Sequence, residues 1–224
     1  MCLSNPLRHF LMIFILGGLV FSGSCALAQW IPISARVDTT VESIAADGTT
    51  TAKWSTTSLY IRSTTGSVVT QRIGRSGRPA LGTMIDSGRS GRVYAINYRD
   101  GKVIDLHHSS DRSESSRPPT ALTDAEKKAA LGHEKYAGEE CALIPVYDSG
   151  PNLSQIIIGK AWVSPRLNDL ILKEDIVHHL SGGGARHVVR RLVILKQGVE
   201  PKAEYFATDS ASVIAHGKKQ AEIH

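Results

Sequence analysis

Apolar and polar residues alternate along much of the chain after residue 30, which is the pattern of β-strands with one buried face. Between Ala35 and Val41, Ala, Val, Thr and Val alternate with charged residues and a second threonine. Asp47-Gly48 then predicts a tight hairpin turn into a return strand over 49–62. Further short strands are predicted over 67–73, 82–86, 92–98, 102–106, 134–136 and 139–147. Links this short favour antiparallel pairing, because a crossover helix would not fit between them.

The longest pattern is a hairpin from Asp169 to Gln197. Branched residues are dense in both of its arms, 170–180 and 187–196, and Ser181-Gly182-Gly183-Gly184 supplies the turn. A strand over 155–163 precedes it and should end at Ser164-Pro165, because proline cannot donate to a β-ladder. We therefore predict a mainly β fold built on an antiparallel sheet.

Two other segments depart from this pattern. Residues 109–119 contain no apolar side chain to bury, so we predict a mobile loop there, where proteases should cut first. A capping box of Thr123 and Glu126 predicts one short helix over 123–131. We place a single β-rich domain at 29–206 and interpret 207–224 as a polar C-terminal tail.

The first 28 residues have the features of a secretory signal peptide. Arg8 precedes an apolar run over 10–21, which is too short for a membrane-spanning helix of about 20 residues. The small-x-small pattern before Ala28 predicts cleavage between Ala28 and Gln29, followed by export to the periplasm or the medium. No later run in the sequence reaches spanning length. An alternative is lipidation at Cys25, because Ser22 to Cys25 loosely resembles a lipoprotein cleavage box.

Charge and composition exclude little but give nucleic-acid binding no support. Removal of the signal lowers the formal net charge from +5 to +4, because Arg8 is its only charged residue. Aromatic residues are 6% of the chain and form no stacking series. Cleavage would also leave Cys141 as the one cysteine, so no internal disulfide is expected.

The histidines of the long hairpin are candidate metal ligands. His178 and His179 are neighbours in one arm and point to opposite faces, so only one of them could join His187 across the hairpin. Asp175 could add a third ligand for a metal-assisted hydrolase, although no spacing here is typical of a zinc site. Solvated turn histidines are the simpler interpretation. We expect no cofactor.

Basic and aromatic residues suggest where a ligand could bind. Arg190 lies among the cations of the return arm, which form either a solvated strand face or a contact for an anionic headgroup. Alternation in the 155–163 strand places Lys160 and Trp162 on one face, as at a sheet edge or cavity rim. Trp162 is thus predicted either to anchor the core or to line a cavity.

A series of motifs over 131–206 resembles a known group of proteins. It comprises Leu-Gly-x-Glu at 131–134, Ala-Trp-Val-Ser-Pro-x-Leu at 161–167, and Gly-Val-Glu-Pro at 198–201 leading to Tyr205-Phe206. The series resembles that of uncharacterised bacterial exported proteins, and similar signatures occur in LolA- and LppX-type carriers. The resemblance implies a half-barrel, in which an antiparallel sheet curls around an apolar cavity. It brings no catalytic residue with it.

From these observations we expect a non-enzymatic binding protein of the bacterial cell envelope. The resemblance implies a lipid, an acyl chain or a segment of another envelope protein as the ligand. The candidate ligand-binding residues are Trp162, Lys160 and Arg190. The competing classes are the metal-assisted hydrolase and a purely structural envelope component that is held through an exposed sheet edge.

Overall fold

The structure, a computed structural model, describes residues 30–86, 91–106, 127–147, 156–219 and 221. The predicted signal peptide with Cys25 and the Ala28–Gln29 cleavage site lies outside the described residues, as does the predicted loop at 109–119. Of the helix predicted over 123–131, residues 127–131 are described: Lys127 and Lys128 are helical, whereas 129–131 are not, so the helix ends earlier than predicted. The predictions for the residues outside the described ranges stay predictions.

Within the described ranges, eleven strands form one antiparallel sheet. They are β1 (Ile33–Ile44), β2 (Thr50–Arg62), β3 (Val68–Ile73), β4 (Pro79–Asp86), β5 (Arg92–Asn97), β6 (Lys102–Asp105), β7 (Gly132–Tyr136), β8 (Glu139–Tyr147), β9 (Ile157–Ser164), β10 (Leu170–His179) and β11 (Ala185–Gln197). Their order across the sheet is β6-β5-β4-β3-β2-β1-β11-β10-β9-β8-β7. The prediction of a mainly β fold with a curved antiparallel sheet is confirmed.

The path of the chain through the sheet is almost symmetrical. It starts at the centre with β1, proceeds strand by strand to the β6 edge, resumes at the opposite edge with β7 and returns to the centre with β11. The two central strands pair from Ile33 opposite Gln197 to Ile44 opposite Ala185. This pairing joins the two halves of the chain into one sheet.

The turns lie where the sequence predicts them. Gly48 (φ 85°) and Gly183 (φ 84°) adopt left-handed backbone conformations in the two long hairpins, β1–β2 and β10–β11. In the second hairpin, Leu180 N donates to Gly184 O at 2.8 Å and closes the predicted turn. Strand β9 ends at Ser164, and Pro165–Leu167 form a short 3₁₀ turn.

The C-terminal segment corrects one expectation. We predicted a polar tail over 207–224, but Ser210–Gly217 form an α-helix that packs on the sheet. Asp209 caps it by accepting a hydrogen bond from Ser212 N at 2.9 Å, and its Val213 is buried. The segment looks polar because a helix of eight residues needs only a narrow apolar stripe to dock.

Both faces of strand β2 are covered at its C-terminal end. Leu59 and Ile61 point to one face, where they pack with the C-terminal helix in what we call the helix-side cluster. Its buried members are Leu59, Ile61, Val69, Met84, Ile96, Tyr98, Tyr205 and Val213. Tyr60 points to the other face and packs in the groove-side cluster, which comprises Ile33, Ala35, Val37, Tyr60, Val68, Cys141, Trp162, Leu167, Leu170, Leu172 and Leu192. Cys141, the one cysteine in the described part of the chain, is thus a buried core residue.

Candidate functional site

A groove opens on the groove-side cluster, between strands β1–β3 and the beginning of β10. Its volume is about 330 Å³. It is lined by Val37, Thr39, Ser58, Tyr60, Thr70, Leu170, Ile171, Leu172, Lys173, Glu174, Arg190 and Leu192. Most of these side chains are apolar or carry only a hydroxyl group, which is the usual lining of a site for a small amphiphilic molecule.

The groove exists because β10 separates from β11. The two strands pair from Lys173 opposite Arg191 up to the hairpin turn, whereas Leu170 and Ile171 pair with β9 alone. A register shift between Ile171 and Lys173 places Leu172 as the extra residue of a bulge, and a bulge bends its strand. Leu170 and Leu172 are consequently packed with Val37 and Tyr60 of the central strands.

An ion pair lies at the end of the groove nearer the hairpin turns. Arg190 of β11 donates through Nη1 to Glu174 Oε2 of β10, and the two residues are directly opposite each other. The Glu174 side chain is 15% exposed, whereas that of Arg190 is 52% exposed. The cation at this end therefore already has an anionic partner.

Tyr60 lies at the other end of the groove. The residue is 7% exposed, and its hydroxyl is buried without a hydrogen-bond partner among the described residues. Burial raises the pKa of Tyr60 to about 12, and the charge of Arg62 offsets part of that rise. The phenol is therefore neutral and keeps its proton for donation.

Arg62 follows on the same face of β2 and is completely buried. Its Nε donates to Ile31 O at 3.0 Å and its Nη2 donates to Leu167 O at 2.8 Å. The Trp30 ring lies 5.3 Å from the guanidinium carbon. Arg62 also interacts with Tyr60, but neither its Nη1 nor the Tyr60 hydroxyl has a hydrogen bond of normal geometry within the described part of the chain. Burial lowers the pKa of Arg62, yet a guanidinium remains charged in proteins.

An apolar band continues beyond the ion pair on the same face of the sheet. Val41 is opposite both Trp54 of β2 and Val188 of β11, and Val188 is opposite Ile176 of β10. These four residues, which we call the apolar band, share the groove face because Val37, Thr39 and Val41 alternate along β1. Trp54 is 42% exposed, so the band is open to solvent at this end.

The structure places one of the three predicted ligand-binding residues in the groove. Arg190 lines it, whereas Trp162 is 3% exposed and packs in the groove-side cluster behind the lining. The ammonium of Lys173 lies 3.9 Å from the centre of the Trp162 ring, and that of Lys160 lies 4.9 Å from it. Ligand contact by Trp162 and Lys160 stays a prediction.

The hairpin histidines are arranged on the sheet surface. His187 Nε2 lies 2.8 Å from Asp175 Oδ1, and its Nδ1 lies 3.9 Å from Glu42 Oε2. The residue opposite His187 is Val177, and both His178 and His179 are exposed. Within the described ranges, no group of three or more His, Cys, Asp or Glu side chains is arranged to hold a metal ion. A metal-assisted reaction therefore finds no support from these residues.

Sequence reasoning missed most of the groove, including Tyr60 and the Leu172 bulge. One local signal was present. Residues 59–62 are four bulky side chains in succession, and alternation fails there because both faces of β2 are covered. The bulge leaves no comparable signal, because Leu172 is one apolar residue in a long apolar strand.

No family model and no curated protein matches this chain. Similar solved structures include a DUF1329 family protein from Desulfovibrio piger, with 10% identity, a TM-score of 0.31 and coverage of 79% of this chain and 90% of that one. A LolA superfamily protein from Nitrosomonas europaea has 8% identity and a TM-score of 0.30, with coverage of 75% and 89%. A Vibrio parahaemolyticus domain described as an outer membrane lipoprotein-sorting protein has 7% identity and a TM-score of 0.30, with coverage of 76% and 88%.

LolA-superfamily proteins are thus among the solved structures similar to this chain, as the motif series predicted. The described helices include none with the length and apolar character needed to cross a membrane.

Proposed function

We propose that this chain is a non-enzymatic binding protein of the bacterial cell envelope, which holds the apolar chain of a lipid or acyl compound in the groove. The observation that carries the proposal is the groove itself, an apolar channel of about 330 Å³ at the joined centre of a curved sheet. Burial of an alkyl chain there would gain roughly 25 cal/mol for each Å² of apolar surface removed from water.

The charged side chains of the lining are Lys173, Glu174 and Arg190, and its other polar groups are hydroxyls. The middle is lined by Val37, Leu172, Leu192 and the half-buried Ser58, which offer van der Waals contact to a chain without specifying its length. Such a lining favours an apolar chain over a peptide, because a peptide would need partners for its backbone N–H and C=O groups.

Location in the envelope is the second part of the proposal. It rests on the signal-like residues 1–28, with cleavage between Ala28 and Gln29. N-terminal sequencing of the exported protein should find Gln29 first. A lipid-modified Cys25 as the first residue would instead make the chain a lipid-anchored protein.

Two serine variants on one strand test the binding proposal. Ser58→Phe places a ring in the groove, whereas Ser55→Phe places the same ring on the opposite face of β2, where Ser55 is exposed. The probe is N-phenylnaphthylamine, a neutral molecule that fluoresces when it enters an apolar site. We expect it to bind the unmodified protein and the Ser55→Phe variant equally, and to bind Ser58→Phe at least about tenfold more weakly, the equivalent of roughly 1.4 kcal/mol.

Circular dichroism should show that both variants keep the β-sheet. The proposal is wrong if the probe does not bind the unmodified protein. It is also wrong if a folded Ser58→Phe variant binds the probe as tightly as Ser55→Phe does.

A further inference from the structure

Behind Tyr60, at the end of the groove away from the hairpin turns, lies a buried cation that has no anionic partner among the described residues. Arg62 is completely buried, and its hydrogen bonds go to the carbonyl groups of Ile31 and Leu167, which carry no net charge. No carboxylate of the described chain is within ion-pair distance of it. An unpaired charge in the interior is costly, and an anion placed near it would lower that cost.

Tyr60 connects this cation to the groove. Its side chain lines the groove and interacts with Arg62, while its buried hydroxyl lacks a hydrogen-bond partner in the described part of the chain. A buried donor without an acceptor is rare in native proteins and calls for an explanation. An acceptor atom on a bound ligand would satisfy it.

The outer end of the groove differs in this respect. Arg190 is paired there with Glu174, so the two charges largely cancel. The third charged side chain of the lining, Lys173, lies against the Trp162 ring and 3.8 Å from Asp175 Oδ2. An anionic group that enters the groove is therefore attracted to the Tyr60 end, where no carboxylate of the described chain balances Arg62. The distance between the two ends follows from their partners on β1, because Ala35 is opposite Tyr60 and Thr39 is opposite Arg190. Four residues of a strand span about 13 Å.

We propose that the groove binds a fatty-acid-type amphiphile head first, with its carboxylate accepting a hydrogen bond from the Tyr60 hydroxyl in front of Arg62. The alkyl chain then runs towards Arg190 and the apolar band. This inference rests on the proposed function and adds two points to it. The ligand is a free carboxylic acid and not a neutral ester, and its head group lies at the Tyr60 end. Tyr60 is the residue that determines the specificity.

The test compares laurate with methyl laurate, which have the same chain and differ in the charge of the head group. The affinity of each compound is measured by its competition with N-phenylnaphthylamine for the unmodified protein, for Tyr60→Phe and for Tyr98→Phe. The control is matched because Tyr98 is also a buried tyrosine, but it belongs to the helix-side cluster. We expect laurate to bind the unmodified protein at least about tenfold more tightly than the ester does. Tyr60→Phe should lower the affinity for laurate by about tenfold to a hundredfold, the range for the loss of a hydrogen bond to a charged group. The same substitution should leave the affinity for the ester unchanged.

Tyr98→Phe should change neither affinity. Equal affinities for acid and ester, or a folded Tyr60→Phe variant with unchanged preference for the acid, would overturn this inference. Either result is measured by displacement of the bound neutral probe, so the groove would still be an apolar binding site and the proposed function would stand. A protein that binds neither the probe nor laurate would overturn the proposed function itself.

Discussion

Leu59 and Tyr60 are neighbours on β2, yet they belong to two regions that are closed in different ways. The helix-side cluster is covered by the protein's own C-terminal helix, and its buried Tyr98 hydroxyl accepts a hydrogen bond from Gln71 Nε2 at 2.9 Å. The groove-side cluster is covered partly by the bulged start of β10, and its buried Tyr60 hydroxyl has no such bond among the described residues.

Burial raises the pKa of both tyrosines to about 12, so their difference does not lie in ionisation. It lies in whether the fold supplies a partner. On the helix side the fold supplies a partner for the Tyr98 hydroxyl, although Gln71 Oε1 there has none within the described chain. On the groove side, the described residues supply neither a hydrogen-bond partner for the Tyr60 hydroxyl nor an anionic partner for Arg62, and a ligand in the apolar groove would supply both.

The largest expected effect is the loss of Trp162 from the wall behind the groove. Trp162→Ala should lower the free energy of unfolding by about 3–5 kcal/mol, because it removes a large buried ring and leaves a cavity. Urea unfolding followed by circular dichroism measures it. A loss under about 1 kcal/mol in a folded variant would show that Trp162 does not anchor the core.

The two faces of β2 should respond differently to small substitutions. Ile61→Ala removes a fully buried side chain from the helix-side cluster and should lower the free energy of unfolding by about 2–5 kcal/mol. For Ser58→Ala, in the groove, the free energy of unfolding should stay within about 0.5 kcal/mol of that of the unmodified protein, since the Ser58 side chain faces the open groove. Equal losses in urea unfolding would mean that the groove is packed as tightly as the core.

These contrasts also separate what the sequence predicts from what it does not. Asp47-Gly48, the glycine run at 182–184 and Ser164-Pro165 specify turns and strand ends locally, so the hairpins were predictable. The groove depends on the pairing of β1 with β11, whose partners are about 150 positions apart, and on a one-residue bulge. No local pattern encodes either. The C-terminal helix did have a local signal, the Asp209 cap, but it was hidden in a polar segment.

The two buried tyrosines give a smaller and sharper comparison in the absence of ligand. Tyr98→Phe removes the acceptor of Gln71 and should lower the free energy of unfolding by about 0.5–1.5 kcal/mol. Tyr60→Phe removes a hydroxyl that has no hydrogen bond of normal geometry to any described residue, and it should leave the free energy of unfolding unchanged or slightly raised. Thermal unfolding of ligand-free protein measures both. A Tyr60→Phe variant as destabilised as Tyr98→Phe would show that the Tyr60 hydroxyl already has a partner.

The smallest expected effect is a pH dependence of the closed face. Hydrogen bonds from Ser212 hold the pKa of Asp209 below its ordinary value. The stability that this helix cap contributes is therefore fully present above the unfolded pKa of about 4 and is lost as the pH falls through the lowered pKa of the folded state. Asp209→Asn keeps the cap without titrating there, so its melting temperature should fall less steeply in acid. Parallel profiles would rule out a contribution from Asp209.

Native mass spectrometry of protein purified from its own envelope tests most directly whether the groove holds an apolar ligand. The account predicts that the unmodified chain and Ser55→Phe carry the added mass of one amphiphile, released as a carboxylic acid on denaturation. Ser58→Phe should carry none. An unmodified chain without added mass, or the same added mass on a folded Ser58→Phe variant, would contradict it.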